Sequence, residues 1–407
     1  MQRFFTIITS AKLRRRGTQI VTSAANALLL PLLNPIVSLL VVRLATPALW
    51  GEFVAAAIIA QLGAHIVGWG NKEYLLREFS LHPAQIARAW QSSLLTRLLL
   101  FVAFCVVLLA LGVAPLRTLL LALWCAGMVL DQSFDALVQF RRAFVFALIV
   151  DICALVAMAG GVGWLGRGLT LDLLLAMFAL ASLASAAALA LRFRAVAFAP
   201  RHAALDFGYL RAALPFFLLG LSGMLQSRAD LYVVNAFMPR AEVAQYQVLT
   251  NLLIYVQTAA YLVLAPFAKS IYRLPNVTVT RIALRLFTLG LALLAPALGA
   301  VVVTLKLYGF TVAPTLLLIG GLFVMPAFFY LPIIYGLYRA GRQNEVLAVN
   351  LVGIGVSVGV SVLLLPYLGS LGALIGSATA QWVMLAMYGA RSRGWRERDA
   401  DALPQLS

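Results

Sequence analysis

From about residue 20 to residue 390 the chain is one apolar stretch after another, with no polar interval long enough to fold by itself. Most stretches are close to the ~20 residues a helix needs to cross a hydrocarbon core. The composition agrees: 63% of residues are apolar and 11% charged, with a mean hydropathy of +0.97. Soluble domains sit nearer ~45–50% and ~25%. Only lipid can act as solvent for that much apolar surface. A backbone in lipid must satisfy its own N–H and C=O groups, so the reading is an all-α integral membrane protein.

Splitting the runs at charges, Pro and Gly places spans near 20–42, 50–70, 89–112, 117–139, 144–165 and 169–191. A second set falls near 211–236, 242–266, 282–304, 312–338, 343–366 and 370–390. Pro31 and Pro35 must bend or split the first span. Residues 1–19 read as a basic segment before an uncleaved first span, because the apolar run after them is too long for a signal-peptide core. The organisation expected is then 1–19 as N-terminal segment, 20–191 as first half, 192–210 as connector, 211–390 as second half and 391–407 as tail.

The basic residues orient these spans. With the N-terminus in the cytoplasm, 24 of the 31 Lys and Arg fall in inner segments. The outer segments hold Arg43, Arg117, Arg167, Arg240 and Lys306, one per loop, and Arg97 and Arg228 remain inside spans. This is the positive-inside pattern, and it would collapse if one span were missed or added. Both termini are therefore expected to be cytoplasmic. The same bias accounts for the net charge of +17 without nucleic acid, which would need a folded basic domain. No Cys/His spacing suggests a metal site, and no cofactor is expected; Cys105, Cys125 and Cys153 lie in apolar runs and read as packing residues.

The chain also repeats itself. Val41, Val42 and Pro47 in VVRLATPALWGEF match Val233, Val234 and Pro239 in VVNAFMPRAEVAQY, and one insertion later Gly51-x-Phe53 matches Ala244-x-Tyr246. Six spans separate the copies, so both run the same way across the bilayer, giving two parallel six-helix halves.

Those two places carry a family likeness. Arg43 to Phe53 resembles the R-x-L-x-P-x-x-x-G-x-[FY] turn after the first helix of polysaccharide flippases. Arg228-Ala229-Asp230-Leu231-Tyr232 followed by Val243-Ala244-Gln245-Tyr246 is similar to the D-x-x-x-I … V-G-x-Y segment that opens their second half, with Ala244 where Gly is common. Ala265 to Ser270 resembles their P-x-x-S close of the eighth helix. Tyr335 to Arg342 with Asn350 resembles their A-x-G-[KR] … N start of the eleventh, and Pro366 to Ala373 their G-x-x-G-A before the last. The chain thus resembles the Wzx-like polysaccharide and O-antigen flippases of the multidrug/oligosaccharidyl-lipid/polysaccharide exporter superfamily. The resemblance implies a MATE-like fold, a bacterial inner-membrane location, a polyprenyl-diphosphate-linked glycan as substrate, and contact with membrane lipids and other polysaccharide-assembly membrane proteins. The loops are shorter than is usual there.

With no room for chemistry in the loops, function must sit among the charges inside the spans, each costing at least ~2.5–3.5 kcal/mol to insert. Arg228, Asp230 and Arg97 are the candidates for a substrate cavity. A diphosphate that sheds bulk water needs cations, and Arg can grip its oxygens bidentately. The competing reading for both arginines is snorkelling. Asp131 and Asp135, at i and i+4 on one helix face, together with Asp151 and His65, are candidates for a proton or coupling ion. Neutralisation of the carboxylates by Arg141, Arg142 or Arg97 is the structural alternative. Pro215, Pro266, Pro326 and Pro332 are possible bending points.

The leading reading is a flippase working by alternating access rather than an enzyme. The alternative is a cation-coupled small-molecule exporter of the same fold. A membrane-embedded glycosyltransferase, polymerase or ligase is a third reading, disfavoured because it would call for a large or acidic outer loop.

Overall fold

The computed structural model describes residues 35–199, 204–264 and 276–402, the side chains of Asn276 and of 392–402 excepted. Its described residues are helical and contain no strand. The helices in chain order are α1 (Pro35–Leu44), α2 (Pro47–Gly68), α3 (Asn71–Leu81), α4 (Ile86–Ala110), α5 (Pro115–Arg141), α6 (Phe144–Leu165) and α7 (Leu171–Arg192). They continue with α8 (Arg194–Ala197), α9 (Phe207–Phe237), α10 (Arg240–Leu264), α11 (Asn276–Tyr308), α12 (Pro314–Arg339), α13 (Gln343–Leu368) and α14 (Ser370–Ala402). Eleven helical segments among the described residues are long and apolar enough to span a bilayer, and α1 stands at the end of the first expected span. The rest of that span, Pro31, the N-terminal segment 1–19, Pro266 and the 265–270 motif lie outside the described residues.

Helix starts follow local chemistry. Pro47, Pro115 and Pro314 occupy first-turn positions where no N–H is needed. Thr46 accepts from Leu49 N at 3.1 Å, Thr170 from Leu173 N at 3.3 Å and Asp206 from Tyr209 N at 3.2 Å, each satisfying an orphan donor.

The expected loop at 71–88 is instead largely helix α3, followed by a 3-10 turn at Pro83–Gln85. The cause is a sharp break at Trp69 and Gly70, both left-handed (φ 47° and 63°). A Cβ on Gly70 would lie 2.6 Å from the Phe217 nitrogen, so the turn requires glycine. Trp69 holds it by donating to Leu210 O at 2.8 Å and stacking on Phe217 at 4.1 Å. Beyond the break, Asn71, Leu75 and Phe79 form a buried stripe at helical spacing, and Leu75 and Phe79 pack with Trp90, Phe134, Leu137 and Phe193.

The described residues fall into two compact units, 35–40 with 59–217 and 41–58 with 218–402. In the second unit, the first repeat segment explains its own composition. Arg43 Nε donates to Leu307 O at 2.6 Å, satisfying a carbonyl at the end of α11 where the chain turns at Gly309 (φ 78°). Trp50 Nε1 donates to Gln247 Oε1 at 3.0 Å. Gly51 lies against the start of α10 so closely that a Cβ would sit 1.7 Å from Arg240 O. The repeat-matched residues Val41, Val42, Phe53, Val233, Val234, Ala244 and Tyr246 are all buried in this unit.

Small residues similarly bring α13 and α14 together. A Cβ on Gly372 would be 2.6 Å from the Leu364 backbone and one on Gly376 2.3 Å from Ser361 Oγ. Ser361 donates to Ala373 O at 3.2 Å, and Asn350 donates to Ser222 Oγ at 3.1 Å. The G-x-x-G-A and Asn positions are thus packing devices. Pro215, Pro326 and Pro332 lie inside unbroken helices, as do Pro296 and Pro366.

Gly51→Ala drives a methyl into backbone that cannot retreat, so a loss above ~3 kcal/mol is expected, the upper range for overpacking. The purified variant should show a markedly lower melting temperature or fail to yield monodisperse protein. Gly160→Ala, with nothing within 4 Å of its added Cβ, should melt like the unsubstituted chain.

Candidate functional site

In the second unit, Arg228 and Asp230 lie on α9, nine and seven residues before its end at Phe237. They are within electrostatic reach of each other but form no ion pair. Their environments differ. Asp230 is 4% exposed, accepts a hydrogen bond from the Tyr246 hydroxyl of α10 and has Ser377 of α14 beside it. Enclosed this way, it cannot touch a bulky substrate. Arg228 is only partly buried, donates to Asn251 Oδ1 and lies within electrostatic reach of Tyr232 and Tyr255. A guanidinium among an amide and two phenols, still partly accessible, is a site for an oxyanion or a polyol.

In the first unit, Arg97 is fully buried eleven residues into α4. Its Nε donates back to Ser93 O at 3.2 Å and Nη2 to Ser133 Oγ at 2.8 Å, while Nη1 has no partner among the described residues. Asp135 pairs with Lys72 at 3.0 Å, across α5 and α3. The expected neutralising arginines are not its partner; Lys72 comes within reach because the segment after Gly70 is helix rather than loop. Asp131, one turn back on α5, keeps Oδ1 without a hydrogen-bond partner among the described residues. Asp131, Asp135 and Asp151 are near enough to interact electrostatically. Asp151 also lines a cavity of about 200 Å³ with Trp124, Met158, Phe178, Ser182 and Ser185. His65 is half-buried in the last turn of α2, where its carbonyl accepts from Trp69 N at 3.1 Å. Among the described residues no group of three His, Cys, Asp or Glu could hold a metal ion.

The polar partners Tyr246, Asn251, Ser133 and Lys72 were invisible as such in the chain. Hydroxyls and amides are common in spans, and only the fold shows which of them face a charge.

No family profile matches the sequence, and no curated relative matches it. Solved structures do. An inward-facing multidrug resistance MATE-family transporter of the MOP superfamily aligns over 90% of this chain and 95% of its own, with a TM-score of 0.65 at 15% identity. The lipid II flippase MurJ, in an inward closed conformation, aligns over 91% of this chain and 86% of its own, with a TM-score of 0.64 at 10% identity. A MATE structure in a bent conformation aligns over 94% of each chain with a TM-score of 0.54 at 16% identity. The chain therefore has the MATE-like fold and is a multi-pass membrane protein.

Two substitutions separate the enclosed site from the wet one. Tyr246→Phe leaves the buried Asp230 short of a donor and should lower stability by ~1–3 kcal/mol. Lys72→Met breaks a pair partly exposed at both ends and should cost about 1 kcal/mol or less. Thermal unfolding of the purified proteins compares them.

Proposed function

We propose that the protein is a flippase of the inner bacterial membrane. It would carry a polyprenyl-diphosphate-linked glycan repeat unit between leaflets by alternating access, with both termini cytoplasmic. The observation that carries this reading is Arg228, a partly accessible cation deep in α9, set among Asn251, Tyr232 and Tyr255. A diphosphate needs such a cation to leave bulk water, and flat phenol rings with an amide suit sugars next to it. The motif resemblance to polysaccharide flippases and the shared fold with MurJ support the same substrate class. Asp230 serves here by holding α9, α10 and α14 together under Arg228 rather than by touching the headgroup.

A specific observation favours a second reading, a cation-coupled exporter of small molecules. Asp131, Asp135 and Asp151 gather in the first unit with one ion-pair partner between them among the described residues, as a proton- or cation-binding group would. The fold shared with MATE transporters fits it equally.

In cells dependent on this protein for glycan export, Arg228→Ala should abolish export while membrane insertion and protein level stay unchanged. Arg228→Lys, a point charge without the guanidinium fork, should restore part of it. Normal export in Arg228→Ala would remove this residue from the mechanism. Export that instead fails in Asp131→Asn, with Arg228→Ala unaffected, would favour the second reading.

A further inference from the structure

A second feature of the first unit has no part in the glycan reading. A cavity of about 900 Å³ lies between α4, α5 and the segment around Phe198. That volume is at the upper end of ~300–1,000 Å³ for sites that enclose an organic ligand. Its walls are apolar, including Leu94, Leu98, Phe101, Val129 and Leu130, and among its described lining residues Arg97 alone is charged. Leu98 and Phe198 are 52% and 70% exposed, so the rim opens on the surface that spanning helices present to lipid.

Arg97 is the anomaly. A fully buried guanidinium in hydrocarbon needs an anion, yet among the described residues no carboxylate lies within ion-pair distance of it. Two of its nitrogens are used by Ser93 O and Ser133 Oγ, and Nη1 is left over. The Tyr209 hydroxyl, within electrostatic reach of Arg97, is also buried with no hydrogen-bond partner among the described residues. A cation with a spare donor on the wall of an apolar cavity calls for an amphiphile with an anionic head.

The side chain folds back toward Ser93, so the guanidinium sits nearer the Ile86 end of α4, the end that carries the basic connections. The charge count selects the lipid. Among the described residues the cavity offers one guanidinium with one nitrogen not hydrogen-bonded, which balances a phosphodiester of charge −1.

We propose that this cavity holds a resident anionic glycerophospholipid, its phosphodiester against Arg97 and a chain along the Leu94–Leu98–Phe101 wall. The bound lipid supplies the counter-charge that the described residues do not provide and fills the space between α4 and α5. The proposal does not involve Arg228, and its test reads binding without transport, so neither reading falls with the other.

The test is native mass spectrometry of the purified full-length protein equilibrated with phosphatidylglycerol, phosphatidylcholine or a polyprenyl diphosphate. Phosphatidylglycerol should be retained about tenfold more than phosphatidylcholine, and Arg97→Gln should remove that preference. Arg97→Lys should restore part of it. Should Arg97→Gln not fold, Ala126→Phe fills the apolar wall without touching the charge and should lower retention of phosphatidylglycerol. Equal retention of the two phospholipids would overturn the proposal, as would unchanged retention in Ala126→Phe. Displacement of phosphatidylglycerol by an equal concentration of the polyprenyl diphosphate would overturn it too and hand the cavity to the substrate.

Discussion

A polar group inside a bilayer has no water to fall back on, and this one constraint orders the whole molecule. It makes every spanning segment a helix and demands caps such as Thr46, Thr170 and Asp206 at helix ends. It also turns each intramembrane charge into a question of who compensates it. The chain gives different answers at different places. Asp230 is closed in by hydroxyls, Asp135 meets a lysine at a wet position, and Arg228 keeps an amide, two phenols and some access. Arg97 is held by a carbonyl and a serine, with a donor to spare beside an open apolar cavity.

Close backbone approach is the second theme, and it follows from the first. Lipid gives helices no hydrophobic reason to associate, so tight contact must come from packing and hydrogen bonds. Gly51 against Arg240 O, Gly70 against Phe217 N and Gly376 against Ser361 are points where a single methyl would not fit. Arg43 adds a hydrogen bond to the end of α11 at the same corner of the second unit. What resembles a flippase motif in the chain is, in the fold, a turn whose arginine, proline and glycine each do a separable physical task.

The spans were legible because hydropathy and the basic residues report on them independently. The expected 144–165 coincides with α6, and most other boundaries shift by a few residues. What escaped was α3, since Asn71–Leu81 is too polar for a hydropathy reading and its buried stripe of Asn71, Leu75 and Phe79 is short. That omission hid Lys72 as the partner of Asp135. The candidate charges were legible individually, because few residues of that kind occur inside spans. Their surroundings were not: whether an aspartate is enclosed like Asp230 or half-exposed like Asp135 depends on contacts far apart in the chain.

On the proposed function this MATE-like bundle moves a lipid-linked glycan rather than a small soluble molecule. Reconstitution into proteoliposomes, with a fluorescent polyprenyl-diphosphate glycan placed in one leaflet, tests it most directly. The account predicts that label becomes accessible to an external quencher or lectin at a rate that depends on the protein and falls to background in Arg228→Ala. A protein-dependent flux of small organic cations, with no movement of the lipid-linked glycan, would contradict it.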